Sequence, residues 1–79
     1  MTTPGPTKRS LTLQGHRTSV SLEEPFWQEF RQAAARRAQP LNALAAQIDA
    51  TRPAELGLAS AIRLFVLEDL RTRLAAKDA

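Results

Sequence analysis

The run Arg17-Thr18-Ser19-Val20-Ser21-Leu22 constrains this chain more than any other stretch. Thr18, Val20 and Leu22 share one parity and Arg17, Ser19 and Ser21 the other, so an extended backbone carries a methyl-bearing row on one face and a donor-rich row opposite. Such a short strand is not stable alone, and no strand of equal quality follows it, so its open edge calls for a partner from outside the chain. The simplest partner is a second copy. Two such strands, antiparallel about a two-fold axis, form a ribbon with six outward polar side chains. A two-stranded ribbon is one of the elements that fit the DNA major groove.

Size sharpens the need for a partner. A chain of 79 residues is one domain near the lower limit at which a single core holds, and without cysteine it has neither a disulfide framework nor a thiolate metal site. Oligomerisation is the remaining staple. Eleven Lys and Arg against eight Asp and Glu give a formal charge of +3, which fits a polyanionic partner without requiring one. Met1 to Thr7 has no apolar run, so no signal peptide is expected, and no later apolar stretch is long enough to span a bilayer. The expectation is a soluble cytoplasmic protein with no membrane association.

Residues 1–8, with Gly5 between Pro4 and Pro6, read as a flexible N-terminal arm. Lys8 and Arg9 lead into Ser10-Leu11-Thr12-Leu13-Gln14, whose apolar residues are odd-numbered where those of the later strand are even-numbered. A glycine at such a phase change, here Gly15-His16, is a bulge or a turn, so the first run is either a kinked extension of the ribbon strand or an arm lying across the partner chain, and the arm is the preferred reading. The strand covers about 17–22. Ser21-x-x-Glu24 has capping-box spacing and Pro25 suits a first helical turn, so a first helix is expected over about 23–37, with Phe26, Phe30 and Ala33 or Ala34 inward beside Trp27. Leu41, Leu44, Ala45 and Ile48 place a second helix over about 40–51. A third helix is expected over about 58–75, closing a domain of residues 9–76 before a 77–79 tail. Its middle, Ala61 to Leu67, is apolar almost all round, more than two short helices can cover, which again calls for a dimer.

Strand, helix, short turn and helix, with alternate polar side chains on the strand, resembles the ribbon-helix-helix family of bacterial DNA-binding regulators. The run from Gly15 to Glu23 with Phe26-Trp27, then Leu41-Asn42-Ala43-Leu44-Ala45, is similar to a compact subfamily of small bacterial members, over roughly residues 9–70. The resemblance implies a mainly α fold with one short β-strand that pairs antiparallel with a second chain, plus a third C-terminal helix. It also implies that the outward strand residues, here Arg17, Ser19 and Ser21, enter the major groove. The family's second helix holds a backbone phosphate at its N-terminus, which here is Gln39-Pro40-Leu41-Asn42, with Asn42 matching the family's polar residue. Two positions depart from the pattern: Ala38 stands where the turn usually has glycine, and Pro40 where a Ser or Thr cap is usual. Proline removes a hydroxyl and an N–H, leaving the amides of Leu41 and Asn42 for the phosphate.

Arg17 can bind guanine bidentately, a contact worth about 1–3 kcal/mol of discrimination, whereas Ser19 and Ser21 accept or donate to several bases. The plain alternative is a solvated strand face, and the capping box competes for the Ser21 hydroxyl. Lys8 and Arg9 fit phosphates beside the groove or a merely solubilising arm. His16, the only histidine, fits a phosphate or a turn better than a metal, and Trp27, Phe26 and Phe30 are core rather than a stacking platform. Arg36 and Arg37 suit a helix C-terminus as well as a DNA backbone. No nucleophile with a base, glycine-rich phosphate loop or metal-ligand spacing is present, so neither an enzyme nor a cofactor is expected. Two readings remain. One is a homodimeric, sequence-specific regulator that binds double-stranded DNA and represses by occupancy. The other is a protein-interaction module, antitoxin-like or adaptor, that captures a protein partner through the third helix or the N-terminal arm.

Overall fold

Gln14 and Gly15 both hold positive φ, 51° and 84°. Two consecutive residues of that kind make the tight turn whose twist matches paired strands. In the computed structural model, which describes residues 5–78, this turn joins β1 (Thr7–Leu13) to β2 (His16–Leu22) as an antiparallel hairpin. The register runs from Leu13 opposite His16 to Thr7 opposite Leu22. Odd residues of β1 therefore face even residues of β2, and the parity change in the sequence is the mark of a two-residue turn.

Three expectations are corrected here. The fold has two short strands rather than one, and on one edge β2 is paired with β1 of its own chain. The physical reason is proximity: closing a two-residue loop between two alternating runs costs far less entropy than recruiting a second molecule. Thr7 and Lys8 belong to β1 rather than to an arm, while residues 1–4 of that expected arm lie outside the described residues. The capping box does not form, because Ser21 remains in β2 opposite Lys8, and Glu23 occupies the cap position without a side-chain cap bond.

The hairpin has one buried and one open face. Leu11, Val20 and Leu22 point inward and are buried, while Lys8, Ser10, Thr12, Arg17, Ser19 and Ser21 are all exposed. After the hairpin comes α1 (Glu24–Arg36), which buries Phe30, Ala33 and Ala34. It ends in a left-handed residue, Ala38 at φ 53°. The Gln39 N–H donates to Ala34 O and the Ala38 N–H to Ala35 O, both at 3.0 Å. These are the paired bonds of a Schellman end, for which glycine is the usual residue at the left-handed position. Pro40 then caps α2 (Leu41–Thr51), whose first carbonyl acceptor is Pro40 O, and α2 buries Leu44, Ala45 and Ile48.

Arg52 shapes the break that follows, donating to Asp49 Oδ1 at 2.8 Å and to Leu56 O at 2.6 Å. The last helix, α3 (Leu58–Asp78), lays Ala61, Ile62 and Val66 into the core. Phe65 of α3 meets Phe30 edge-on at 6.5 Å. Leu64, Leu67 and Leu74 of α3 stay 53, 41 and 61 % exposed.

Candidate nucleic-acid interface

The outer face of the hairpin is built by strand alternation. With Leu13 and His16 closing the turn as a hydrogen-bonded pair, the pairs Thr12–Arg17, Ser10–Ser19 and Lys8–Ser21 are the non-hydrogen-bonded ones. Their side chains stand on the outer face and their backbone groups point to the two free edges. Both edges are partly occupied from within the chain. On the β1 side the Thr12 N–H donates to Asn42 Oδ1 at 3.1 Å, and on the β2 side Arg63 donates to Ser21 O at 3.3 Å. Arg63 is itself fixed by Glu23 at 2.9 Å. Side chains of α2 and α3 thus shield the hairpin against edge pairing where they reach it.

On the face itself, Arg17 Nη2 donates to Ser10 Oγ at 3.0 Å, a diagonal contact across the two strands. Lys8 and Arg17 are the charged members of the six-residue face, and it carries no carboxylate. Glu23 and Glu24, which follow β2 in the chain, are held in ion pairs. Glu23 lies below the usual carboxylate range through its own backbone N–H and then Arg63. Glu24 is lowered by the Gln28 amide and then by Arg9.

The remaining sequence candidates separate clearly. Arg9 has the parity of the inner row; it pairs with Glu24 Oε1 at 2.6 Å and lies over the Trp27 ring at 5.3 Å, away from the outer face. His16 is exposed beside the turn. Leu41 and Asn42 begin α2, so their N–H groups have no intrahelical acceptor, and Asn42 sets this helix end against the β1 edge. Arg36 and Arg37 reach Asp69 of α3 at 2.7 and 3.2 Å, and Arg37 also covers the Phe65 ring at 4.8 Å. Burial pushes the Asp69 carboxyl up, but the hydrogen bonds from Arg36 and Arg37 and the charge of Arg73 outweigh it and hold the group below its ordinary value.

Sequence reasoning did not place Ser10 and Thr12 on the outer face, nor Lys8 in its row. The signal was present in the parity change around Gln14-Gly15. The edge roles of Asn42 and Arg63 had no local signal, since each acts on a residue about thirty or more positions away.

Among the described residues no group of three or more His, Asp or Glu stands where it could hold a metal ion, and no helix is long and apolar enough to cross a membrane. A family model described as a ribbon-helix-helix domain matches residues 6–70. No curated protein and no solved structure shows a significant match.

Proposed function

The chain belongs to the ribbon-helix-helix domain family, a non-enzymatic fold typical of DNA-binding regulators and antitoxins, and from that premise we propose that it is a sequence-specific transcriptional regulator. It sets the outer face of its hairpin into the DNA major groove and represses by occupying an operator. The observation that carries this reading is the face itself: six exposed polar side chains, two of them cationic, on a two-stranded ribbon whose inner row is locked into the core. A ribbon of that width enters the major groove, where base edges differ in donor and acceptor pattern.

Arg17 takes guanine O6 and N7, and Ser19 and Ser21 bond neighbouring base edges. Lys8 and His16, at the two ends of the hairpin, meet phosphates, and the free amides of Leu41 and Asn42 hold a third beside the β1 edge. Arg9 supports the interface from beneath by fixing β1 to Glu24 and Trp27.

Two chains join through the leucines that α3 leaves exposed. Leu64 and Leu67 are one turn apart and Leu74 lies seven residues beyond Leu67, so they form one stripe with Arg71 between. Antiparallel α3 helices in that register bring Glu68 of one copy beside Arg71 of the other, replacing their exposed 3.5 Å pair within one chain. The same leucines also favour the second reading, in which α3 captures a different protein.

The test is binding to DNA from upstream of the protein's own gene and to scrambled DNA, across a salt series, with Arg17→Ala in parallel. Preference for the upstream DNA, a steep salt slope and loss of preference in the variant are expected. Each released counterion contributes about 0.9 to that slope. Weak binding indifferent to sequence and to Arg17 overturns the regulator and leaves the protein-capture reading.

A further inference from the structure

Given the DNA-binding reading above, on which this step rests, we propose that the cavity under the turn of the hairpin is an effector site for a small organic monocarboxylate, which competes with DNA for Arg17. The core beneath the hairpin stops one pair short of the turn. Leu11, Val20 and Leu22 are buried, whereas Leu13 and Thr18, the inward residues nearest the turn, are only half-buried. The space they leave is a cavity of about 490 Å³, bounded on the helical side by Ala46 and Ala50 of α2 and Leu58 of α3. Ala46 and Ala50 lie one turn apart, so two small side chains in succession hold it open. Sites for small molecules run from about 300 to 1,000 Å³.

The charged groups of the lining are cationic in balance. Arg17 lies at the mouth, exposed, with Nη2 on Ser10 Oγ. Arg52, on the α2 side, gives Nε to Asp49 Oδ1 and Nη1 to Leu56 O, and among the described residues its Nη2 has no acceptor. Two guanidinium groups against the one carboxylate of Asp49 leave a single positive charge, and the Thr18 hydroxyl and the His16 ring add polar edges. One carboxylate on an apolar body matches that lining: the acid group meets the guanidinium groups, and the body rests on Leu13, Ala46, Ala50 and Leu58. A phosphate monoester, with close to two negative charges, exceeds the balance.

The ligand acts on DNA binding through Arg17. A carboxylate takes a guanidinium through two parallel N–H donors, the same fork that guanine O6 and N7 require. One side chain cannot serve both at once, so ligand and operator weaken each other by the same factor. His16, Arg17 and Thr18 belong both to the ribbon and to the cavity wall, so occupancy is felt directly at the reading face. The effector therefore releases DNA rather than recruiting it.

The experiment uses phenylacetate as the probe, with acetate, which lacks the apolar body, and benzyl alcohol, which lacks the charge. Each is titrated into the wild type and Ala50→Leu, followed by amide resonances in NMR spectra, and then into the complex with DNA from upstream of the protein's own gene. Phenylacetate is expected to shift the amides of residues 13–18 and 46–52, which surround the cavity, with a Kd on the order of 1 mM. Acetate and benzyl alcohol should bind about tenfold more weakly or not at all. Any salt lowers DNA affinity, so the comparison is made at equal sodium concentration, where phenylacetate should weaken DNA binding about fivefold more than acetate does. Ala50→Leu fills the cavity from an exposed helical position. It should keep its circular dichroism and its DNA affinity, lose the shifts, and respond alike to phenylacetate and acetate. Unmoved cavity amides, as when a second copy fills the space, overturn the site, and so do equal shifts in Ala50→Leu or with acetate. Shifts without an effect on DNA binding overturn the competition for Arg17. A wild type without preference for the upstream DNA defeats the regulator and with it the competition, while the amide shifts still decide the cavity.

Discussion

The hairpin and α3 both turn an unusual surface to solvent, and they differ in what that surface lacks. The hairpin face is polar and exposed in all six side chains, yet its strands are already paired with each other and its edges are touched by Asn42 and Arg63. Helix α3 is regular and anchored through Ile62 and Val66, yet leaves Leu64, Leu67 and Leu74 in water. Backbone hydrogen bonds are satisfied most cheaply by the nearest compatible segment, whereas apolar side chains beyond the capacity of a small core have no local remedy. The strand that first calls for a second chain is thus paired with its own hairpin neighbour, and the helix is the element that keeps an uncovered apolar stripe.

Substitutions can break this contrast, beginning with the largest effect. Leu22, fully buried, ties the end of β2 to the core; Leu22→Ala should cost about 2–5 kcal/mol in a urea melt. Ser19→Ala, on the opposite face of the same strand, should stay within about 0.5 kcal/mol of the wild type. Leu64→Lys/Leu67→Lys should weaken self-association at least tenfold in sedimentation equilibrium, since burying one leucine contributes about 1.5–3 kcal/mol, while the single-chain fold survives. Unchanged association would remove α3 as the interface.

Asp69, only 12 % exposed in its side chain, gathers Arg36, Arg37 and Arg73 and fixes the end of α1 to α3. Asp69→Asn should lower stability at neutral pH by about 1–2 kcal/mol. Because the folded carboxyl is depressed, its contribution is present above the ordinary aspartate value of 3.8 and lost as pH falls through the lower folded value. The difference between variant and wild type should accordingly shrink below about pH 4, as followed by thermal melts. Smallest are two gains. Ala38→Gly relieves a left-handed alanine at φ 53° and should stabilise by about 1 kcal/mol. Gln14→Asn gives the hairpin an Asn-Gly turn and should add a few tenths of a kcal/mol.

The three helices and the core were legible because their apolar spacing is strong: Leu44, Ala45 and Ile48 are buried in α2 as their spacing predicts. So was the two-faced character of β2. What was misread is the meaning of the parity change. Gln14 is an uncommon residue at positive φ, so the turn lacks the usual Asn-Gly or Asp-Gly signature, and the first run reads as an arm. The same misreading paired Arg9 with Lys8 as surface charges, although Arg9 shares the parity of Leu11 and Leu13 and turns toward Trp27. Asn42 drew notice as a helix-start residue, but its hold on the Thr12 backbone is a tertiary contact with no signal in neighbouring residues.

The most direct test of a ribbon closed within one chain uses its lack of cysteine. Ser10→Cys/Ser19→Cys puts thiols at a non-hydrogen-bonded pair, with a Cα separation of about 4.5 Å, inside the range a disulfide accepts. Mild oxidation should give a disulfide within single chains, no free thiol, and migration as a monomer on a non-reducing gel, while Ser19→Cys alone remains uncrosslinked. Crosslinking of Ser19→Cys alone into a covalent dimer, with the Ser10→Cys thiol left free in the double variant, would contradict the account and return the ribbon to the boundary between two chains.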